Sequence, residues 1–272
     1  MMYVDSKVCI GCGSCIQDCV VGDIQMVDGK AVMKQEACFD CGHCLAICPV
    51  DAVVSDHNQE DVREYVAEEF EIDPQRLLNF MEFRRSIRFF QNKPIEREKL
   101  RMLVEAGRYA PTGGNSQQVS YLVVEEKREE LRRLALNSLK QKAEFILSHP
   151  TPENKRYERY AHLWNMMYQQ YETDPSGPDR LFFHAPTILL VAAPSPVDAA
   201  LASANIELMA NALGLGNVYC GFFLLAADGN QMIQDWMQLP PGHQPVTCMV
   251  LGYPDVIYHR TVPRKSPTII YQ

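Results

Sequence analysis

Cysteine dominates the chemistry open to this chain. Eight of its ten cysteines fall in two runs, Cys9-x2-Cys12-x2-Cys15-x3-Cys19 and Cys38-x2-Cys41-x2-Cys44-x3-Cys48-Pro49, each position of the second run lying 29 residues after its counterpart. Thiolates are soft ligands that suit iron–sulfur clusters and zinc. Three of them at three-residue intervals on a loop can converge on one point and each take a corner of an iron–sulfur cube, and the run C-x2-C-x2-C-x3-C-P is a signature of such clusters. Zinc sites also use C-x2-C pairs, but as two pairs separated by a longer loop, which neither run provides. Disulfides are disfavoured because no secretory leader is recognisable, so a reducing, cytoplasmic setting is expected. Val20 stands where the second run has Pro49, which loosens the backbone of the first repeat without removing a ligand.

Three further segments carry polar or backbone groups suited to binding. Arg84-Arg85-Ser86-Ile87-Arg88 follows an apolar stripe of Leu77, Leu78, Met81 and Phe83. If the helix continues that far, Arg84 and Arg88 share a face at i, i+4, where like charges repel unless an anion such as a phosphate offsets them. A cationic helix end complementing the dipole is an equally good reading of the pentapeptide alone. In Ala110-Pro111-Thr112-Gly113-Gly114-Asn115-Ser116-Gln117-Gln118, proline and paired glycines end a helix, and the Asn115 and Gln117 amides could meet the N–H and carbonyl edge of a flavin ring. An ordinary polar turn is the commoner meaning of such a stretch. In Leu213-Gly214-Leu215-Gly216-Asn217-Val218-Tyr219-Cys220-Gly221-Phe222, a glycine closes a helix before a buried strand, and Gly221 within that strand predicts close backbone approach.

The elements that must hold these residues divide the chain. Residues 1–57 contain the repeat, with strands expected at Met2–Val4, Ile24–Val27, Ala31–Met33 and Ala52–Ser55 and a hairpin turn at Asp28-Gly29. Residues 58–73 are polar and acidic and read as a linker, with an amphipathic helix over Glu60–Phe70. From residue 74 to 272, helices are expected from Pro74, at Glu96–Tyr109, Lys127–Leu147, Glu153–Tyr171, Val197–Leu213 and Gly229–Met237. Strands are expected at Ser120–Val124, Thr187–Ala193, Asn217–Leu225 and Val246–Gly252. The mixture predicts an α+β domain whose central antiparallel or mixed sheet is flanked by helices. No apolar run approaches a membrane span. The net charge is −8, and residues 1–57 carry three lysines against eight carboxylates. Such acidity disfavours nucleic acid and favours a basic redox partner.

Residues 1–57 resemble a two-cluster bacterial ferredoxin. That resemblance implies two [4Fe–4S] clusters with a crossed fourth ligand: Cys9, Cys12, Cys15 and Cys48 for one, and Cys38, Cys41, Cys44 and Cys19 for the other. The remainder, with its three segments in this order, resembles the nitroreductase family of flavin enzymes. It implies FMN, with Arg84, Arg85, Ser86 and Arg88 at the phosphate and ribityl chain and Asn115 and Gln117 at the ring. It also implies Cys220, Gly221 and Phe222 beside the reactive edge of the ring, and Arg264 of Pro263-Arg264-Lys265 closing on the phosphate. It further implies an intertwined homodimer with FMN at the subunit interface. Where many relatives carry Pro-Trp after the N-x-Q pair, this chain has Gln118-Val119.

Together the halves imply an enzyme that takes single electrons through the clusters from ferredoxin or a similar donor, with NAD(P)H as the other donor, which would load FMN by hydride. It would reduce a small organic acceptor such as a nitro compound, quinone or enone at the flavin. The alternative is an electron-transfer protein or dehydrogenase that passes electrons out through the clusters. No catalytic acid or nucleophile stands out. Cys220 and Cys248 read as small buried hydrophobes, Tyr157, Tyr160, Trp164 and Tyr168 as a core stripe, and His43 as an exposed loop residue.

Overall fold

The computed structural model describes residues 1–57 and 62–272. They form two compact units, one of Met1–Asp73 with Gly113–Ser116, the other of Pro74–Thr112 with Gln117–Gln272.

The first unit is built twice from the same plan. β1 (Met2–Val4) pairs antiparallel with β4 (Val53–Ser55), and β2 (Ile24–Val27) pairs antiparallel with β3 (Lys30–Met33) across the Asp28-Gly29 turn, where both residues have positive φ. The third cysteine of each C-x2-C-x2-C run lies in a short helix, Cys15 in α1 (Ser14–Asp18) and Cys44 in α2 (His43–Ala46). Each is entered through a left-handed glycine, Gly13 at φ 79 and Gly42 at φ 77. Only a residue without a Cβ turns the chain this way at little cost, so the glycine between the second and third cysteine folds the run back on itself. Gly11 is more constrained still, since a Cβ there would lie 2.1 Å from the Gly29 carbonyl oxygen. A small apolar core of Met2, Ile24, Ala31, Ala52 and Val53 encloses Cys9, Cys15 and Cys44.

The linker expectation needs correction. Glu60 and Asp61 lie outside the described residues, and among the described ones of this stretch only Ala67–Phe70 is helical (α3), with no buried side chain. Four carboxylates in Glu64–Glu71 and no apolar surface to cover leave a longer helix without tertiary support.

In the second unit a four-stranded antiparallel sheet, order β5-β6-β8-β7, is made of β5 (Ser120–Val124), β6 (Thr187–Ala193), β8 (Gln244–Gly252) and β7 (Gly216–Tyr219). β6 is buried throughout, which explains its unbroken apolar sequence. One core packs α6 (Arg128–Ser148), α7 (Glu158–Thr173), α9 (Gly221–Ala227) and α10 (Gln231–Met237) around Trp164, Ile188, Val250 and Phe223. The other packs α5 (Arg97–Arg108) and α8 (Pro196–Ala212) around Leu103, Leu189, Ile206 and Met249. The sheet is therefore flanked by helices.

Two expectations fail instructively. α4 (Pro74–Phe83) stops before Arg84, so Arg84 and Arg88 do not share a helix face. The strand expected over Asn217–Leu225 ends at Tyr219, and Gly221 opens α9 instead. Phe222-Phe223-Leu224-Leu225 is apolar enough for either state, and packing against α6 and α10 selects the helix. Cys220 accordingly caps a helix and is not in a strand.

Candidate functional site

The first unit contains two hollows, and every cysteine of the two runs lines one of them. Cys9, Cys12, Cys15 and Cys48 line the first. Cys19, Cys38, Cys41 and Cys44 line the second. Each run thus contributes three thiols to one hollow and its fourth to the other, an arrangement that α1 and α2 produce by carrying the chain from the third cysteine to the fourth.

The thiols within a hollow are close enough to affect each other. Burial and then repulsion from Cys12, Cys48 and Cys9 raise the Cys15 thiol pKa. Burial, with Cys41 and Cys38 adding, pushes Cys44 up to about 11. The Ser14 hydroxyl lowers that of Cys12. Crowded, buried thiols resist ionisation in the absence of a cation and become good thiolate ligands when one is bound. Backbone amides point at sulfur: Ala52 N–H at Cys48 Sγ (3.2 Å), Asp23 N–H at Cys19 Sγ (3.3 Å) and Asp40 N–H at Cys38 Sγ (3.4 Å). Four thiols, apolar walls and N–H donors to sulfur suit an iron–sulfur cubane.

In the second unit the basic segment leaves α4 and runs beside β7. Ile87 N–H donates to Asn217 O (2.9 Å), Ser86 makes a parallel bridge to Asn217, and Gln91 N–H donates to Tyr253 O (2.9 Å). Gly216 makes this approach possible, since a Cβ there would stand 2.4 Å from Ile87 Cγ1. The arginines have separate tasks. Arg84 Nη1 lies 3.1 Å from Glu207 Oε1 on α8, and the same oxygen accepts from Asn217 Nδ2 (3.2 Å). Arg85 donates through Nη1 to Glu82 O (2.9 Å) and Arg84 O (2.6 Å), and through Nη2 to Arg260 O (3.3 Å). Its Nε is buried without a hydrogen-bond partner among the described residues. Arg88 is exposed.

β7, beside which this segment runs, leads at its end into Cys220, the N-cap of α9, and then Gly221-Phe222 in its first turn, so both predicted groups adjoin one strand. Cys220 N–H donates to Cys248 O (2.7 Å), and its Sγ reaches Leu181 O (3.3 Å). Burial drives the Cys248 thiol pKa well above its ordinary value, as expected of inert core cysteines. A Cβ on Gly221 would meet nothing within 4 Å, leaving open space before its backbone. Phe222 sits edge-on to Trp164 (5.7 Å) and Tyr160 (5.6 Å), so the aromatic stripe is joined to the site through it.

The remaining predicted residues lie elsewhere. Asn115 falls in the first unit, where its Nδ2 donates to Asp40 O (2.9 Å) and Phe39 O (3.2 Å). Gln117 is exposed, with φ 51 and its N–H on Thr112 Oγ1 (3.0 Å). Arg264 is exposed in the C-terminal stretch. Sequence reasoning missed Glu207. Its signal was a carboxylate past the middle of the alanine-rich helix α8, between Ile206 and Leu208.

The sequence pattern of the Nitroreductase family matches residues 81–253, and that of a 4Fe-4S dicluster domain matches residues 1–49. An NADPH-dependent oxidoreductase of Staphylococcus aureus (strain USA300) is 25% identical over 186 residues, covering 66% of this chain and 65% of the relative. The match thus spans just under two thirds of that relative's length. A nitroreductase with bound FMN from Desulfitobacterium hafniense DCB-2 is similar at 25% identity and a TM-score of 0.51, over 71% of this chain and 97% of that one. One with bound FMN from Bacteroides fragilis NCTC 9343 shares the fold at 22% identity and a TM-score of 0.51, over 72% and 98%.

Proposed function

Since the chain belongs to the nitroreductase family, we propose that it is an FMN-dependent oxidoreductase that receives single electrons through two [4Fe–4S] clusters. It reduces a small organic acceptor, a nitro compound, quinone, enone or similar, at the flavin. The observation that carries this reading is the pair of four-cysteine hollows in the same chain as the nitroreductase domain.

Cys9, Cys12, Cys15 and Cys48 hold one cluster, and Cys19, Cys38, Cys41 and Cys44 the other. Arg84, Ser86 and Arg88 bind the phosphate end of FMN, with Glu207 keeping Arg84 beside β7. Arg85 binds the same end and braces the segment through backbone carbonyls. Arg264 closes on the phosphate from the C-terminal stretch. The open space before Gly221 admits the ring, and Cys220 and Phe222 flank it. Asn115 and Gln117 are assigned to the ring by the family likeness alone. When bound, FMN gathers electrons in pairs while iron–sulfur clusters pass them singly, which is why a fusion of the two serves to convert one into the other. A homodimer with FMN at its interface follows from the family likeness, and the exposed apolar Ile269, Ile270 and Tyr271 suit cover by a second copy.

The test is anaerobic stopped-flow absorbance of the reconstituted protein, mixed separately with reduced ferredoxin and with NADPH or NADH. Fast flavin bleaching by ferredoxin, abolished by Cys12→Ser or Cys41→Ser, is expected. Bleaching by a nicotinamide alone, unaffected by those changes, would overturn cluster entry and favour electrons leaving through the clusters.

A further inference from the structure

The two hollows correspond residue by residue. Adding or subtracting 29 converts the thirteen residues lining the first into the thirteen lining the second. Most exchanges keep apolar character: Val4 with Met33, Ile10 with Phe39, Ala31 with Met2, Val53 with Ile24. The contacts to sulfur also balance. Ala52 N–H and the Ser14 hydroxyl, 3.5 Å from Cys12 Sγ, serve the first set; the Asp23 and Asp40 N–H groups serve the second. The symmetry breaks in charge. Ala52, 1% exposed, has Asp23, 3% exposed, as its counterpart.

The Asp23 carboxylate accepts backbone N–H bonds from Gln35 (2.9 Å), Glu36 (2.9 Å) and Ala37 (2.8 Å), led by Ala37 in holding it ionised. Lys34, a cation that also acts on it, spends its ammonium on Gly22 O (2.7 Å). On the other side, the Lys30 ammonium donates to the carbonyl of Cys9, a member of the first set. Asp40, between Cys38 and Cys41, replaces Gly11 of the first run, although the Met1 amine and His57 face its carboxylate. His43, the counterpart of Ser14, is exposed and paired with Asp18 at 3.3 Å. Solvent exposure of Cys38 and Cys41, against Cys12 alone in the first set, acts in the opposite sense. Its effect is that of water, whereas Asp23 is a fixed charge shielded from water.

We propose that Asp23 makes the two clusters inequivalent, setting the one held by Cys19, Cys38, Cys41 and Cys44 at the lower potential. Reduction adds one electron to each cluster, with no bond made or broken, and a neighbouring carboxylate opposes that added negative charge. A single electron from a low-potential donor then rests on the cluster of Cys9, Cys12, Cys15 and Cys48, and passage from the second set to the first is downhill. The inference rests on the assignment of a [4Fe–4S] cluster to each hollow.

Iron and acid-labile sulfide analysis of the reconstituted full chain tests that assignment separately, by whether it finds two clusters per chain. An anaerobic redox titration followed by electron paramagnetic resonance, at alkaline pH to keep imidazole charge out of the comparison, then reads the potentials. Two resolved steps are expected. Asp23→Asn, which keeps an acceptor for the 35–37 loop, should raise the lower step alone; Ala52→Asp should lower the upper step alone. Lys30→Gln, a change outside both hollows, should also lower the upper step and covers a failure of either buried variant to assemble. A single unresolved step in the unmodified protein would overturn the proposal, as would correctly loaded variants whose two steps stay where they were.

Discussion

A side chain's partners, more than its type, decide what it can contribute here. Arg84, Arg85 and Arg88 look interchangeable in sequence, yet one faces a carboxylate, one grips three carbonyls and one is exposed. Arg84→Ala is expected to weaken FMN binding by about tenfold to a hundredfold, the worth of a charge-assisted hydrogen bond of roughly 1.5–3 kcal/mol. Riboflavin affinity should hardly change, which fluorescence quenching titrations with both ligands will check. Glu96 makes a second point. The Tyr253 hydroxyl, with Lys93 adding, pulls its carboxyl pKa from 4.5 to about 2. A lowered folded pKa means the link between the start of α5 and the end of β8 stabilises above pH ~4.5 and is lost as pH falls toward 2. The difference in Tm between the unmodified protein and Glu96→Gln should therefore shrink steadily between pH 5 and 2. Because the group is exposed, the difference should also shrink with added salt.

At the level of elements, the segment from Arg84 to Gln91 is an extended stretch sewn to β7 and the end of β8, and it depends on one missing Cβ. Gly216→Ala would force its methyl into Ile87. Overpacking of this kind costs about 1–3 kcal/mol, and here the strain falls between β7 and the segment that carries the arginines. Reduced stability in urea together with weaker FMN binding is expected, whereas a substitution at Gly214, whose Cβ direction is open, should affect mainly the left-handed turn. Most elements were legible from periodicity, β5 and β6 to the residue. α9 was not, because a run of Phe and Leu after a strand has no period to separate strand from helix. Whether the helix continues through the arginine pentapeptide is likewise open in the sequence; it ends at Phe83, since the bonds that replace the helix come from residue 217 and beyond.

For the molecule as a whole, the fusion makes separable predictions. Cys12→Ser and Cys41→Ser should each remove one cluster, halving the iron content while leaving the flavin spectrum intact, because each hollow draws on its own four thiols. Removal of residues 263–272 should shift sedimentation from dimer toward monomer and lower FMN affinity. That stretch carries Arg264 and the exposed Ile269, Ile270 and Tyr271, of which Tyr271 is 88% exposed.

Cysteine spacing was enough to indicate cluster chemistry, because ligand type and the short loops between ligands are local properties. The same holds for the glycine turns and for the alternation of apolar strands and helices. Other features depend on residues far apart in the chain. Asp23 reaches its three amides across 12 to 14 residues, Glu207 meets Arg84 across two elements, and Arg85 finds a carbonyl 175 residues away. No period or motif encodes such meetings; they exist only once the sheet and its helices have packed. The charge difference between two otherwise matching hollows is of this kind: the exchange of alanine for aspartate is visible in the repeat, but only folding buries it beside the thiols.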